Sequence, residues 1–437
     1  MKHIYILLIS FLLVTSCTSD LDQFPTNIAS SNSLTDFEGA LNAAYFYNRG
    51  SVTPMAVMGD FRSDNALMDE EPNTEFDKFG PNLIDMGPQF FNPFYSALYK
   101  AILSTNTVIE KSTDPVEIGE AKFLRALAYF KLVRVFGDVP INLSSTPSLT
   151  DGSILARQPV SNVYAQIISD LNDAAGALST NIVNGRASKL AAQGMLGKVF
   201  MQMSDFGSAL APLQAVVDGA GGAGIALQED FANIFGVDND LNSEIIFASQ
   251  ISSSIADEYT SSEFWSWFGG LDTKSLNPVD QDLVAAFDAS AANGGGTDLR
   301  RAVTINEAGT ASPKYPQTGG PDHDWIEQRL GGAILLYAEA LNETGNSAGA
   351  LDQLNKIRTR AGLTNSTATS QAEVRQAIAD ERRLELAFEG QRWFDLVRTG
   401  TVDAEMGETI DSRYHLFPIP NSEVLSSFGV ITQNPGY

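Results

Sequence analysis

The segment Glu381–Arg398, ERRLELAFEGQRWFDLVR, mixes charged, aliphatic and aromatic residues more densely than any other part of this 437-residue chain. Leu384, Ala387 and Phe388 are three and four residues apart, which places them on one face of a helix. Gly390 interrupts this spacing. We therefore predict a helix, a break at Gly390 and a second short helix.

Three carboxylates of this segment form a stripe of their own, because Glu381, Glu385 and Glu389 are four residues apart. Like charges at this spacing destabilise an isolated helix by roughly 0.2–0.5 kcal/mol per pair. Partners of opposite charge are therefore expected nearby, and the segment itself offers Arg382, Arg383, Arg392 and Arg398. We interpret the stripe as an Arg–Glu network that joins two helices; the alternative is a catalytic carboxylate pair of the glycosidase kind.

The composition is that of a folded protein, with 43% hydrophobic and 19% charged residues. Length alone suggests two or three domains. The formal net charge of −25 argues against nucleic-acid binding and against a polybasic membrane contact. The three histidines, His3, His323 and His415, provide no imidazole pair at the spacing of a metal site.

The N-terminus has the features of a lipoprotein signal peptide. Lys2 and His3 precede the apolar run Ile4–Val14, which is short for a membrane span but typical of a signal peptide. Small residues then lead to Cys17, whose position resembles the lipidated cysteine of a bacterial lipobox. We predict a signal peptide over residues 1–16 and lipidation of Cys17; the alternative is an ordinary signal peptide cleaved nearby. A single cysteine also excludes disulfides within the chain.

Helical periodicity dominates the rest of the chain. Residues 17–35 are polar and predict a tether, and residues 36–437 are predicted to form a single domain. Helices are predicted over residues 36–47, 89–111, 116–136 and 161–178.

Two later segments share a helix–turn–helix pattern. Small residues are 12 positions apart in both, Gly197 and Ala209 in one and Ala338 and Ala350 in the other. This spacing is typical of tetratricopeptide repeats, in which small residues let two helices pack closely. Between the two repeats, about residues 219–325, glycine-rich loops and a short strand, Glu244–Gln250, are predicted.

Seven motifs in a fixed order make the chain resemble the SusD/RagB family of Bacteroidetes surface lipoproteins. They are the lipobox at Cys17, Arg125–Pro140, Gly185–Phe200, Asn242–Ala248, Tyr337–Leu363, Glu381–Arg398, and the closing LFPIP…QNPGY. The resemblance implies a mostly α-helical fold, with about four tetratricopeptide-like helix pairs and a loop-rich, mixed ligand-binding part. One departure is Tyr95, where the family often has tryptophan, so no ligand role is assigned to it.

The resemblance also implies a function without catalysis or a cofactor. Family members sit on a SusC-like TonB-dependent transporter of the outer membrane, capture an oligosaccharide or polysaccharide and deliver it. We therefore expect a glycan-binding lipoprotein, anchored to the outer membrane by lipid and exposed at the cell surface. Because the family also includes peptide binders, a peptide ligand stays open as an alternative.

The first candidate ligand site is EFWSWFGG, Glu263–Gly270. Sugars bind flat aromatic faces, which give a large contact area at low entropic cost. The flanking serine and glycine residues predict an exposed loop, where a tryptophan pair is unusual. We select Trp265, Trp267 and Phe268 as glycan-binding candidates; the alternative is that one indole is core and the other fixes the loop to the scaffold.

The second candidate is GDFRSDNA, Gly59–Ala66, which we predict to be a loop. Asp60, Arg62, Asp64 and Asn65 carry groups that bind sugar hydroxyls, and the family's ligand sites often use this early loop. The alternative is ordinary turn chemistry, which favours Asp and Asn.

A third set, Tyr315, His323 and Trp325, borders another irregular segment, whereas Trp393 is predicted to be structural.

Alternating residues suggest a calcium loop but lack its full twelve-residue pattern, so we assign no metal. These residues are Asp238, Asp240, Asn242 and Glu244.

Two functions of other classes are weaker. A glycoside hydrolase would use the Glu381 stripe or Asp60 with Asp64, but its acid and base must face each other across about 5–10 Å, which residues stacked on one helix do not. A tetratricopeptide adaptor would need only the helices, and the glycine-rich, aromatic segment 219–325 argues against it.

Overall fold

A computed structural model describes residues 37–147, 152–254, 263–272, 275–316 and 322–437. The predicted signal peptide, Cys17 and the tether over 17–35 lie outside these residues, so their boundaries stay predictions. Glu38–Tyr437 forms one unit. Within the described ranges, none of the helices combines the length and the apolar character needed to cross a bilayer.

Helices account for most of the described chain, as predicted from the sequence. In chain order they are α1 (Glu38–Arg49), α2 (Val52–Ala56), α3 (Asn92–Lys111), α4 (Pro115–Phe136), α5 (Val160–Ala177), α6 (Lys189–Gln202), α7 (Phe206–Gly219), α8 (Phe264–Phe268), α9 (Gln281–Asn293), α10 (Arg301–Thr304), α11 (Leu330–Glu343), α12 (Ser347–Arg360), α13 (Gln371–Glu385), α14 (Arg392–Thr399), α15 (Val402–Met406) and α16 (Asn421–Ser426). Short 3-10 and π-helical turns connect several of them.

Four pairs of helices form the scaffold: α1 with α3, α4 with α5, α6 with α7, and α11 with α12. The short links within the last two pairs turn the chain back on itself. In the α6–α7 pair, a Cβ on Gly197 would lie 2.4 Å from Leu213 Cγ, so the close approach predicted for the small residues is confirmed there. The four pairs are compatible with the predicted tetratricopeptide-like arrangement.

Helix ends follow their local sequence signals. The Asp114 carboxylate accepts the backbone N–H of Val116 at 2.7 Å, which caps α4 where the sequence predicts its start. Ser370 and Glu373 form a reciprocal capping box at the start of α13. The Asp114 cap thus fixes where α4 begins, and the capping box fixes where α13 begins. α13 carries Glu381 and Glu385 of the glutamate stripe.

The described residues contain two small antiparallel sheets. β1 (Val139–Pro140) pairs with β2 (Arg157–Gln158), and β3 (Ile245–Ser249) pairs with β4 (Trp325–Arg329). The strand predicted over 244–250 is therefore confirmed, with its partner 80 residues later bringing Trp325 beside Ser249. This second sheet connects the loop-rich part to α11, which starts directly after β4.

The predicted break at Gly390 is confirmed, because α13 ends at Glu385 and α14 begins at Arg392. Gly390 has φ +68°, a left-handed conformation that favours glycine. Its backbone also packs directly on Gly59, where a Cβ would lie 2.3 Å from the Gly390 carbonyl carbon. The turn after α13 therefore rests on the segment that contains Gly59.

One predicted loop is partly right and another is wrong. In GDFRSDNA, residues 59–61 lie in a π-helical segment, Val57–Phe61, that continues α2, whereas residues 62–65 form a turn; the side chains of the whole segment are buried. EFWSWFGG forms the short helix α8, with Phe264, Trp267 and Phe268 fully buried. Serine and glycine flanks suggested exposure, but the aromatic side chains decide the placement because burying each removes a large apolar surface from water.

Candidate functional site

The two segments selected as separate candidate sites pack against each other. The ring of Phe61 stacks on Phe268 at 5.1 Å with an interplanar angle of 4°. Phe268 in turn lies 4.9 Å from the ring of Phe388, in the turn between α13 and α14. Trp267 meets the edges of Phe61 and Phe90 at 6.2 and 5.5 Å. Together they form an aromatic core.

Asp60 anchors the turn after α13. Its carboxylate accepts the backbone N–H of Phe388 at 3.1 Å and of Gly390 at 2.6 Å, and the side-chain amide of Asn65 at 3.1 Å. Burial raises the pKa of Asp60 to about 6, although these three hydrogen bonds oppose the rise. A buried carboxylate that is saturated by such donors holds the local fold together.

The side chains of Asp64 and Arg62, also in GDFRSDNA, already have hydrogen-bond or ion-pair partners within the protein. Asp64 accepts two hydrogen bonds at 2.7 Å from Arg392 and pairs with Arg383 at 2.9 Å. Arg62 donates to the carbonyl oxygens of Phe76 (2.6 Å) and Tyr414 (3.0 Å). Asp64, Arg62 and Arg392 are buried. Through these hydrogen bonds and ion pairs, the segment links α13 and α14 to the rest of the chain.

Burial divides the sequence-selected residues into two groups. Those at 5% exposure or less are Asp60, Arg62, Asp64, Asn65, Trp267, Phe268, Tyr315 and Trp325. A ligand has no route to these side chains in this conformation, and their role in ligand contact stays a prediction. Trp265 is half-buried and presents part of its indole to solvent.

Trp265 is grouped with four polar residues, and we call this set the Trp265 face: Trp265, His323, Asp322, Asp324 and Asp240. His323 is buried, whereas the other four are partly exposed or exposed. The indole centroid is 6.4 Å from the imidazole of His323, and Asp322 and Asp324 flank that histidine in the chain. His323 is fixed by a 2.9 Å hydrogen bond with the Pro316 carbonyl oxygen. The face therefore combines a partly exposed indole with a histidine whose chain neighbours, Asp322 and Asp324, are partly exposed carboxylates.

Tyr315 and Trp325 support this face from the inside. Phe264 packs edge-on against both rings, at 4.8 Å from Tyr315 and 5.0 Å from Trp325. Tyr315 also donates its hydroxyl to the Phe388 carbonyl oxygen at 3.0 Å. Tyr315 and Trp325 thus pack on Phe264, the chain neighbour of Trp265, and sequence spacing alone did not indicate this contact.

The carboxylates of the Trp265 face repel one another. Burial and the neighbouring charge of Asp240 raise the pKa of Asp324 to about 7. Burial also raises the pKa of Asp240 to about 6, with Asp322 and Asp238 adding to the shift. Among the residues that the structure describes, no cluster of His, Cys, Asp or Glu side chains is suited to a metal ion. Carboxylates of this kind suit hydroxyl donors.

The glutamate stripe of α13 lies in a buried ionic network centred on Arg329, at the end of β4. Arg329 Nη1 donates to Glu244 at 2.8 Å and to Glu385 at 2.6 Å. Its Nε and Nη2 donate to the two carboxylate oxygens of Glu389 at 2.8 and 2.9 Å. Arg300 pairs with Glu381 at 2.7 Å. The network therefore ties α13 to the second sheet.

Charge is balanced in this Arg329 network. Its five carboxylates are Glu244, Asp298, Glu381, Glu385 and Glu389, and its five cations are Arg300, Lys314, Arg329, Arg358 and Arg360. Burial alone would raise the pKa of Glu385, but the surrounding guanidinium groups of Arg360, Arg329 and Arg300 hold it below its ordinary value. Despite burial, the pKa of Glu389 is likewise held low by Arg329 and Lys314, whereas burial raises the pKa of Glu381.

The network confirms the interpretation of the stripe but corrects its partners. The arginines of the segment itself do not neutralise the stripe: Arg383 and Arg392 pair with Asp64, whereas Arg382 and Arg398 pair with Asp395. Adjacent arginines point away from the stripe because side chains one or two positions apart occupy different sides of a helix. The true partners come from segments between residues 300 and 360. Arg358 and Arg360 lie in the family motif Tyr337–Leu363, whereas no motif contains Arg300, Lys314 or Arg329.

The structure shows where Trp393 and the alternating series of residues 238–244 lie. Trp393 is fully buried and stacks on Phe79 at 5.5 Å, so its structural role is confirmed. The alternating series that suggested calcium instead enters β3, where Glu244 is buried in the Arg329 network. The Asn242 amide donates to the carbonyl oxygens of Ile234 and Asn239.

Comparison with known proteins agrees with this architecture. The family model described as "SusD family" matches residues 288–411, and a second, described as "Starch-binding associating with outer membrane", matches residues 15–201. The chain is 26% identical to SusD-like protein P2 of Formosa agariphila, with 100% of both chains covered. A segment covering 27% of the chain is 34% identical to starch-binding protein SusD of Bacteroides thetaiotaomicron, covering 22% of that protein.

A solved structure shares the fold. It is described as a laminarin-binding SusD-like protein, and it superposes with a TM-score of 0.72 at 26% identity, covering 92% of this chain and 99% of the other. The fold and the ordered motifs define a protein of the SusD-like class, which has a mostly α-helical scaffold. The chain belongs to the SusD/RagB family.

Proposed function

We propose that this protein is a cell-surface lipoprotein that binds an oligosaccharide or polysaccharide and passes it to a SusC-like TonB-dependent transporter. Support comes from family membership and from two similar proteins whose names specify starch and laminarin. Lipid attachment through Cys17 would anchor the chain to the outer membrane. This anchor follows from the N-terminal sequence pattern.

The Trp265 face is the site that we propose for the glycan, and the half-exposed indole of Trp265 is the observation that carries this assignment. An indole covers the C–H face of a sugar ring, while nearby carboxylates accept hydrogen bonds from its hydroxyls. Asp322 and Asp324 accept backbone N–H groups through one oxygen each, from Ser253 and Ile251. Each carboxylate has a second oxygen with which to accept a further hydrogen bond.

Hydrolysis is less well supported than binding. The carboxylates of the glutamate stripe are buried and held by cations, and Asp60 and Asp64 are also buried and hydrogen-bonded. General acid–base catalysis needs two carboxyl groups on opposite sides of a bound glycosidic bond. A peptide ligand remains the alternative within the family.

The test compares Trp265→Ala with Tyr337→Ala, a control that removes a partly buried aromatic from α11. Affinity electrophoresis against laminarin, starch and an acidic polysaccharide identifies a glycan that retards the wild-type protein. We expect Trp265→Ala to weaken binding of that glycan by about tenfold, since an aromatic contact contributes roughly 0.5–1.5 kcal/mol beyond area burial. Tyr337→Ala should bind like the wild type.

Two results would contradict the proposal. Unchanged affinity in Trp265→Ala would remove this face from the site. Release of reducing ends from any glycan during incubation with the purified protein would replace binding with hydrolysis.

A further inference from the structure

A small cavity lies where α6, β4, α11 and α13 meet, away from the Trp265 face. Its volume is ≈ 40 Å³, and the charged part of its lining consists of three cations and two carboxylates: Lys198, Arg329, Arg382, Glu327 and Glu389. Arg329 and Glu389 pair with each other at 2.8 Å. A site needs only about 10–15 Å³ of such space to hold one water. The cavity therefore has room for a monatomic ion or a few waters, but not for a sugar.

Two hydrogen-bond donors at this cavity lack partners among the described residues. Arg382 is 5% exposed; its Nη2 pairs with Asp395 at 2.9 Å, while its Nε is buried and makes no hydrogen bond within the described chain. Lys198 forms no hydrogen bond or ion pair with any residue that the structure describes. Lys198 is half-buried, whereas the Nε of Arg382 is fully buried. A buried donor without an acceptor costs about 1–3 kcal/mol, and more when charged, so the Nε of Arg382 points to an acceptor in the cavity.

The surroundings also carry excess positive charge. Lys131 is paired with Glu327, and the Arg382–Arg398 couple is neutralised by Asp395 and Glu339; these pairs are complete. Two cations remain, Lys198 and Arg134.

Arg134 is 9% exposed and lies between the rings of Phe130 and Phe394, at 4.3 and 4.5 Å, with no carboxylate partner in the described part of the chain. Burial and the nearby charge of Arg134 lower the pKa of Lys198 to about 7. The Arg329 network, by contrast, matches its five buried carboxylates with five cations.

We propose that the cavity binds a small monovalent anion of chloride size, held by the Lys198 ammonium and the Nε of Arg382. The anion supplies the missing acceptor and neutralises one of the two unpaired cations. Because Lys198 is on α6 and Arg382 on α13, the anion joins a scaffold pair to the helix of the Arg329 network. Phosphate and carboxylate ligands with larger groups do not fit this volume.

The test uses the whole mature protein and measures thermal unfolding in sodium chloride and in sodium gluconate at equal ionic strength. Gluconate is too large for the cavity, so general screening is matched. For a single site, the midpoint should rise by about 1–2 °C for each tenfold increase in chloride above the dissociation constant. Lys198→Met should abolish the difference between the two salts, whereas Lys356→Met, at an exposed position of α12, should retain it.

Bromide provides a second measurement that does not depend on the variants. Crystals of the wild-type protein soaked in bromide should show an anomalous peak beside Lys198 and Arg382. The proposal is overturned if wild-type midpoints are equal in chloride and gluconate, or if the cavity shows only water in the bromide-soaked crystals.

Discussion

The Arg329 network and the Trp265 face both contain clustered carboxylates, but the two regions treat them in opposite ways. In the network, each glutamate has buried cations within hydrogen-bond distance, and the pKa of Glu385 is held low. On the face, Asp240 and Asp324 crowd each other, and the pKa of each is raised. Neutralised charge that is out of reach of solvent serves the fold, whereas partly exposed carboxylates without an ion pair among the described residues can accept a ligand.

The largest effect that separates the two regions is expected from Arg329→Met. This change leaves Glu385 and Glu389 short of a buried partner, and breaking a buried pair costs about 3–5 kcal/mol. The free energy of unfolding from urea titration measures it. Arg375→Met, the control, breaks an ion pair with Glu343 in which Arg375 is 50% exposed, and should cost about 1 kcal/mol or less. Equal losses in the two variants would remove the special role of the network.

The two tryptophans of α8 should separate stability from binding. Trp267→Ala empties a fully buried position and should lower the free energy of unfolding by about 3–5 kcal/mol. Trp265→Ala should change it by about 1 kcal/mol or less, because the side chain is half-exposed. Urea titrations of both variants, run beside the glycan-binding assay, give the comparison. A large stability loss in Trp265→Ala would assign its indole to the core.

Acid should unfold the protein through the buried pairs. The pKa values of Glu385 and Asp395 are lowered by their arginine partners despite burial, so the unfolded chain binds protons first as the pH falls. Their contribution is complete above the ordinary pKa of 4.5 for Glu and 3.8 for Asp and is lost progressively below it. Unfolding midpoints between neutral and acidic pH should show this decline, and it should be shallower in Glu385→Gln. An identical pH slope in that variant would contradict the assignment.

Sequence periodicity predicted most of the helices, because their apolar faces and capping residues are local signals. Asp114, Ser370 and Gly390 act within one turn of their own positions, so the bounds of α4, α13 and α14 follow from neighbouring residues. Family motifs added the overall class. The helical scaffold could therefore be predicted from the sequence.

The candidate site was much less predictable. Whether Asp60 or Phe268 is exposed depends on contacts with Phe388 and Gly390, more than 100 residues away, and no local pattern reports these. Polar residue types suggested ligand binding at Asp60–Asn65, but the same groups serve as well for internal hydrogen bonds. The carboxylates of Asp322 and Asp324 were missed because the sequence does not show that His323 lies beside Trp265.

Glu385→Gln tests the division between the two regions most directly. The substitution preserves the shape of the side chain and removes the charge that Arg300, Arg329 and Arg360 share. The measurement is the dissociation constant for the glycan that the wild-type protein binds, taken well below the unfolding midpoint of the variant. Our account predicts an unchanged dissociation constant and a lower midpoint; lost binding at an unchanged midpoint would contradict it.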